Sequence, residues 1–110
     1  MRRRPPALLC CALLASAAAP AQDAVEVVAS RRGFRPAELT TRVGETLRLR
    51  LTTADDEHCF ALDGLRAEKR VVPGRPTLLE LTPDRVGRFP FHCCLEAPDS
   101  AERGTLVVGE

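Results

Sequence analysis

The chain has 110 residues, with 16 basic and 15 acidic side chains, four phenylalanines, and neither tryptophan nor tyrosine. This nearly balanced charge, with no basic stripe interleaved with aromatic residues, argues against nucleic acid as a partner. The length allows one small domain, and the scarcity of aromatic residues predicts a thin core of valine and leucine. A domain of this kind gains stability from a covalent or metal cross-link.

Residues 1–21 have the pattern of a secretory signal peptide. Three arginines come first, the apolar run ALLCCALLASAAA follows, and Ala19-Pro20-Ala21 offers a small-x-small cleavage site. A retained membrane anchor is the alternative, which is disfavoured because the apolar run falls well short of about 20 residues. We expect cleavage after Ala21, which leaves residues 22–110 as one periplasmic or secreted domain without a membrane span. That domain has 13 basic and 15 acidic side chains, a net charge of −2.

Short alternating or apolar segments follow along the mature chain. VEVVAS at Val25–Ser30 alternates, and TLRLRLT at 46–52 puts its leucines on one face and its arginines on the other. The stretch 95–103 is expected to be a loop with one helical turn. Glycine and proline turns separate further short strand patterns at 60–62, 77–82, 88–91 and 105–108. About seven short strands in one small domain indicate an all-β sandwich.

Cysteine usage is the next informative feature. Cys59, Cys93 and Cys94 remain after cleavage, while the only methionine, Met1, is lost with the leader. Two of the three thiols are expected to pair in an oxidising compartment, which leaves one free thiol. The segments EHCF and FHCC therefore suggest a metal site, a redox site or a structural disulfide. The acidic triplet DDE at 55–57, directly before the first of these segments, is expected to be an exposed patch.

Four segments, in the correct order, resemble a cupredoxin domain of the plastocyanin and azurin type. GFRPAELTTRVGETLRLRL resembles its opening, and DDEHCFAL resembles the D-x-x-H-x-F segment with the first copper-ligand histidine. VVPGRPTLLEL matches the turn and strand that follow, and VGRFPFHCCLEAPDSAERGTLVV resembles the closing hairpin. EfeO-type proteins and cytochrome c oxidase subunit II carry domains of this kind. The resemblance covers residues 25–108 and implies a Greek-key β-sandwich with copper as its cofactor.

The resemblance also implies a ligand set, and this sequence departs from the usual one. His58 takes the position of the first histidine and Cys93 that of the thiolate. The second histidine is commonly three residues after that cysteine, where this chain has Glu96. The axial methionine is usually two residues before the closing glycine, where this chain has Glu102. Either glutamate is a candidate ligand or a solvated loop carboxylate, and His92 is expected to face away from its neighbour Cys93.

The cysteine pairing follows from the same resemblance. In cupredoxins the residue after the first ligand histidine lies against the residue after the ligand cysteine. We therefore expect a Cys59–Cys94 disulfide, which would stabilise the fold by about 3 to 4 kcal/mol in the chain-entropy model. A Cys59–Cys93 bridge and a strained vicinal bridge are the alternatives. Without any disulfide, His58 and the three cysteines would form a soft cluster suited to Cu(I) or Zn(II).

The expected function is that of an exported copper protein rather than an enzyme. His58, Cys93 and one or both glutamates would form an atypical or vestigial mononuclear site for copper handling or electron transfer. The carboxylates favour Cu(II) over Cu(I) because they are hard ligands. An exported redox or copper-handling protein is the expected partner. The alternatives are a metal-free, disulfide-stapled binding module and a thiol redox sensor in which His58 activates Cys93.

Overall fold

The computed structural model describes residues 24–97 and 100–110, so the predicted signal peptide at 1–21 lies outside the described residues. Nine strands and one 3₁₀ turn, Asp63–Leu65, form within these ranges. The strands are β1 Val25–Ser30, β2 Gly33–Arg35, β3 Glu38–Arg42, β4 Leu47–Thr53, β5 His58–Leu62, β6 Ala67–Val71, β7 Thr77–Leu81, β8 Gly87–His92 and β9 Arg103–Gly109.

The strands form two sheets, which confirms the all-β sandwich. One sheet has the order β2-β1-β4-β7 and the other has the order β3-β9-β8-β5-β6. The β1–β4 and β3–β9 pairs are parallel, and the other pairs are antiparallel. The chain therefore passes from one sheet to the other several times, and its last two strands, β8 and β9, are neighbours in the five-stranded sheet. Within residues 24–97 and 100–110, no helix has the length and hydrophobicity that a membrane span requires.

The sequence patterns located six of the nine strands in the described residues, and the three that they missed are β2, β3 and β6. All three lie at the edge of a sheet. An edge strand pairs on one side only, and charged side chains there discourage unwanted pairing with other chains. The sequence AEKRV of β6 is accordingly exposed except at its ends and has no apolar alternation. Alternation identifies central strands better than edge strands for this reason.

Phenylalanine packing positions the two strands that carry the candidate ligands. The rings of Phe34, Phe60 and Phe91 contact each other, with centroids 4.7 to 5.7 Å apart. Phe60 is two residues after His58 and Phe91 is two residues before Cys93, so each ring lies on the same strand face as a candidate ligand. Burial of each ring contributes roughly 1.5 to 3 kcal/mol. The core therefore holds both ligand-bearing strand ends in place.

Candidate metal centre

Two neighbouring strands bring His58 and Cys93 to the same end of the sandwich. His58 is the first residue of β5, and Cys93 directly follows the last residue of β8. These strands are antiparallel neighbours, paired at Ala61 and His92. Both side chains are buried, with 2% of His58 and 1% of Cys93 exposed. The backbone N–H of Cys59 donates a 3.3 Å hydrogen bond to Sγ of Cys93.

Glu102 joins these two residues from the start of the last strand. The backbone N–H of Cys93 donates a 3.0 Å hydrogen bond to the carbonyl oxygen of Glu102. Gly104, two residues later, has no room for a Cβ atom, which would overlap the Phe91 ring and the carbonyl oxygen of Ala37. The close approach that glycine allows holds β9 against β8. Only 3% of Glu102 is exposed, so the carboxylate lies inside the protein rather than in a solvated loop.

The side chains of His58 and Glu102 meet in the interior of the protein. Nδ1 of His58 and Oε1 of Glu102 are in contact at ion-pair distance. Both atoms are buried and have no hydrogen-bond partner in the described part of the chain. Burial away from water is the main reason why the pKa of Glu102 is raised. A proton or a metal ion shared by the imidazole and the carboxylate would satisfy both atoms.

Asp55 fixes the orientation of the His58 ring. Its Oδ1 lies 2.6 Å from Nε2 of His58. The hydrogen bond from His58, followed by one from the backbone N–H of Arg31, holds the pKa of Asp55 well below its ordinary value. In the neutral imidazole, an ionised Asp55 that accepts the Nε2 proton leaves the lone pair on Nδ1, the atom that faces Glu102. Metal-binding histidines are commonly oriented by a carboxylate in this way.

Sequence reasoning missed this role of Asp55. The triplet DDE is exposed, as predicted, but Asp55 is in addition a direct partner of the buried histidine. The signal was present in the D-x-x-H spacing, because a carboxylate three residues before a histidine can reach its ring across a tight turn. Asp56 and Glu57 instead form ion pairs with Arg31 and Arg70.

Together, His58, Cys93 and Glu102 form a buried three-donor group. One ligand atom from each lies within 4.8 Å of the others. An imidazole nitrogen, a thiol sulfur and a carboxylate oxygen are the donor types that bind copper and zinc. The donor types, their burial and the two unpartnered atoms therefore fit a metal ion. By contrast, a surface cavity of about 720 Å³ is lined by the 3₁₀ turn, β6 and β7 and contains none of these donors.

Glu96 and His92 lie outside this group. Glu96 is exposed, and its backbone N–H donates a 3.2 Å hydrogen bond to the carbonyl oxygen of Cys93. Its carboxylate is close enough to Glu102 to contribute to the raised pKa of that residue. Nε2 of His92 lies 3.2 Å from Oδ2 of Asp63, on the opposite side of the strand from Cys93, as expected. The position of the usual second histidine therefore supplies no buried donor.

Cys59 and Cys94 form a disulfide, which is the pairing implied by the resemblance, and Cys93 is a buried free thiol. The register that pairs Ala61 with His92 continues to place Cys59 opposite Cys94. Their Cα atoms are 5.3 Å apart, a typical spacing for a disulfide. The alternative pairings with Cys93 do not form, and the two disulfide sulfurs are not ligands beside His58.

Comparisons with known proteins agree with this fold. The family model described as "Cupredoxin-like domain" matches residues 6–108 of the chain. No curated protein sequence matches the chain. The periplasmic domain of subunit II of cytochrome oxidase (CoxB) of Bradyrhizobium japonicum is similar, with a TM-score of 0.66 and 19% identity over 77% of this chain and 82% of that one.

Two further solved structures are similar over most of their length. The metal binding domain of the Cu(I) exporting P-type ATPase CopA of Streptococcus pneumoniae D39, with Cu(I), has a TM-score of 0.65 and 18% identity over 78% of this chain and 84% of that one. Auracyanin A, a "blue" copper protein from Chloroflexus aurantiacus, has a TM-score of 0.62 and 18% identity over 79% of this chain and 100% of that one. At such identities the likeness concerns the fold.

Proposed function

Because the chain belongs to the cupredoxin-like domain family, we propose that it is a copper-binding protein that holds one copper ion through His58, Cys93 and Glu102. The observation that carries this proposal is the contact between Nδ1 of His58 and Oε1 of Glu102, two buried atoms without hydrogen-bond partners. The thiol of Cys93 completes the group.

The charge of the donor group favours Cu(II). A thiolate and a carboxylate together carry two negative charges, and the imidazole is neutral when it binds a metal. A divalent ion therefore gives a neutral buried site, whereas Cu(I) leaves one uncompensated negative charge, which is unfavourable in a buried site. The carboxylate is also a hard ligand, which Cu(II) accepts better than Cu(I) does. This preference supports copper handling more than rapid electron transfer, which requires a site that suits both oxidation states.

Each surrounding residue has a separate task at this site. Asp55 keeps the proton on Nε2 of His58, so that Nδ1 can bind a cation. The backbone N–H of Cys59 donates to Sγ of Cys93 and stabilises negative charge on the sulfur. The Phe60 and Phe91 rings exclude water from the inner side of the group. A bound copper ion would supply one-electron redox chemistry.

The cellular setting forms part of the proposal. The leader pattern at 1–21 supports export, and an oxidising compartment suits the Cys59–Cys94 disulfide. We assign the protein a binding role rather than an enzymatic one, with an exported redox or copper-handling protein as its partner. The copper exporter and the auracyanin among the similar structures support copper as the ion.

A copper titration tests the proposal. The protein, expressed from its full sequence and air-oxidised, is titrated with Cu(II), desalted and examined by visible absorption. We expect one retained copper per chain and an intense thiolate-to-Cu(II) band that the Cys93→Ser variant lacks. An absence of retained copper in the folded protein would instead favour the metal-free binding module.

A further inference from the structure

A second group of potential ligands lies on the other face of the sheet that carries the copper site. Side chains alternate along β5, so Cys59 and Ala61 point away from the face of His58 and Phe60. Glu68 of β6 pairs with Ala61, next to Cys59 on that same face. Because Cys94 is two residues after His92, which pairs with Ala61, it also belongs to this face.

The donor atoms of this second group are close together. Sγ of Cys59, Sγ of Cys94 and a carboxylate oxygen of Glu68 all lie within 4.8 Å of one another. The two sulfurs are joined by the disulfide in the oxidised protein and cannot bind a metal as thiolates. Reduction would leave two thiols and a carboxylate in one place, already positioned by neighbouring strands. The disulfide accounts for the two sulfurs, but nothing in the proposed copper function accounts for the carboxylate of Glu68, which is on the opposite side of the sheet from Glu102.

The disulfide is accessible from one side. Cys59 is fully buried, whereas Cys94 is half-buried and lines a surface cavity of about 440 Å³. His92 and Glu96 line the same cavity and contribute polar groups to its wall. Cys94, rather than the fully buried Cys59, is therefore the half of the disulfide that a small reductant or the thiol of a protein would approach. A cation can enter by the same route.

We propose that reduction of Cys59–Cys94 creates a second metal site, in which Cys59, Cys94 and Glu68 bind a thiophilic cation, Zn(II) or Cu(I). The reductant is an external dithiol. Its thiolate bonds to Sγ of Cys94, the Cys59–Cys94 bond breaks, and Cys59 leaves as a thiolate that takes a proton. The second thiol of the reductant then displaces Cys94 as a thiol, and the reductant becomes a disulfide. Two electrons and two protons are thereby transferred to the protein.

The donor types fit this class of cation. Thiolates select Zn(II) and Cu(I) among the common biological metals, and a carboxylate oxygen is a regular third ligand for Zn(II). The two thiols lose their protons when the cation binds, so binding strengthens as the pH rises. The site therefore responds to redox state: the oxidised protein holds one metal ion in the Glu102 group, and the reduced protein holds a second one in the Glu68 group.

Metal stoichiometry before and after reduction tests this inference. The protein is reduced with a phosphine, which is removed without oxygen, and is titrated with Zn(II) against a chromophoric chelator. We expect one retained Zn(II) per chain in the oxidised protein and two in the reduced protein. In a Cys93→Ser background the expected values are zero and one. Circular dichroism verifies that each sample keeps its β-sheet, and a Glu102→Gln background replaces Cys93→Ser if that variant does not fold.

The difference in bound Zn(II) between the reduced and oxidised protein tests the second site independently of the copper proposal. A gain of one Zn(II) per chain on reduction supports the second site. This holds even if the oxidised wild-type protein binds no Zn(II), a result that would count against the first site alone. Equal binding in both states would overturn the second site. A parallel titration with Cu(I), using a Cu(I)-specific chelator, determines which of the two cations binds more tightly.

A matched pair of variants tests the carboxylate. Glu68→Gln should weaken the binding of the second Zn(II) to the reduced protein by about tenfold or more. Glu45 is an exposed glutamate before β4 that belongs to neither donor group. Glu45→Gln should therefore leave the affinity for the second Zn(II) unchanged. Equal affinities for the two variants would overturn the assignment of Glu68.

Discussion

The backbone N–H of Cys59 donates a 3.3 Å hydrogen bond to Sγ of Cys93, so a disulfide-bonded residue directly contacts the candidate thiolate ligand. Cys94, the other half of the disulfide, is the next residue after that ligand. One cross-link therefore fixes both strand ends that carry the donor group. The adjacent cysteines of FHCC have separate tasks, because Cys93 faces the interior while Cys94 ties β8 to β5.

The carboxylate that binds copper is predicted to be Glu102 and not Glu96. Glu102→Gln should lower the affinity for Cu(II) by about tenfold or more, because a buried donor that carries negative charge is lost. Glu96→Gln is the matched control, since Glu96 is exposed and lies outside the donor group. Competition with a chelator of known affinity measures both variants. A larger loss in Glu96→Gln would mean that the site uses the usual second-histidine position.

Asp55 should act on copper binding through His58. Asp55→Asn removes the carboxylate that holds the Nε2 proton, so the ring can adopt the wrong tautomer. We expect the affinity for Cu(II) to fall by about 10- to 100-fold, the usual effect of losing such a partner. The imidazole NMR signals of His58 should report a changed tautomer, which a purely structural role would not produce. Glu57→Gln, whose side chain pairs with Arg70, serves as the control and should bind normally.

The disulfide should be a major source of stability. The two cysteines are 35 residues apart, so their bond restricts a long loop in the unfolded chain. Replacing both with alanine should lower the free energy of unfolding by about 3 to 4 kcal/mol in the chain-entropy model. Urea denaturation of the metal-free protein measures the change. A loss below about 1 kcal/mol would show that the bond contributes little by restricting the unfolded chain.

Glu102 should destabilise the metal-free protein as the pH rises. Its pKa is raised above the ordinary value of 4.5, chiefly by burial, so the folded protein holds this proton more tightly than the unfolded chain does. The contribution of Glu102 to stability is therefore fully present below pH 4.5 and is lost as the pH rises through the raised pKa.

Measuring the free energy of unfolding at different pH values tests the direction of this effect. Glu102→Gln should gain stability relative to the wild-type protein between acidic and neutral pH, as measured by urea denaturation without metal. The exposed Glu45→Gln variant should show no such gain. The contradicting result is a difference in the free energy of unfolding between Glu102→Gln and the wild-type protein that is the same at about pH 4 and about pH 7. The burial of a charged Glu102 would then not be what makes stability depend on pH.

The strands that carry the site were predictable because their chemistry is local. Alternation over β4 and the turn residues before β7 and β8 are properties of short segments, and the ordered motifs identified His58 and Cys93 as candidate ligands. The edge strand β6 was missed because its exposed, charged sequence has no alternation.

The choice between the two glutamates could not be predicted from the sequence. Glu96 and Glu102 occur in the same polar loop segment, and either matched a ligand position. Their difference arises from tertiary contacts: the pairing of Cys93 with Glu102 and the close approach of Gly104 to Phe91 draw Glu102 inward. No property of the segment itself distinguishes a buried carboxylate from a solvated one.

The most direct test of the central claim is a crystal structure of the copper-loaded, oxidised protein, with the metal located by anomalous scattering at the copper edge. We predict a single copper ion within bonding distance of Nδ1 of His58, Sγ of Cys93 and a carboxylate oxygen of Glu102, with Asp55 still hydrogen-bonded to Nε2. A crystal in which copper occupies another position, or in which His58 and Glu102 still contact each other without a metal at saturating copper, would contradict it.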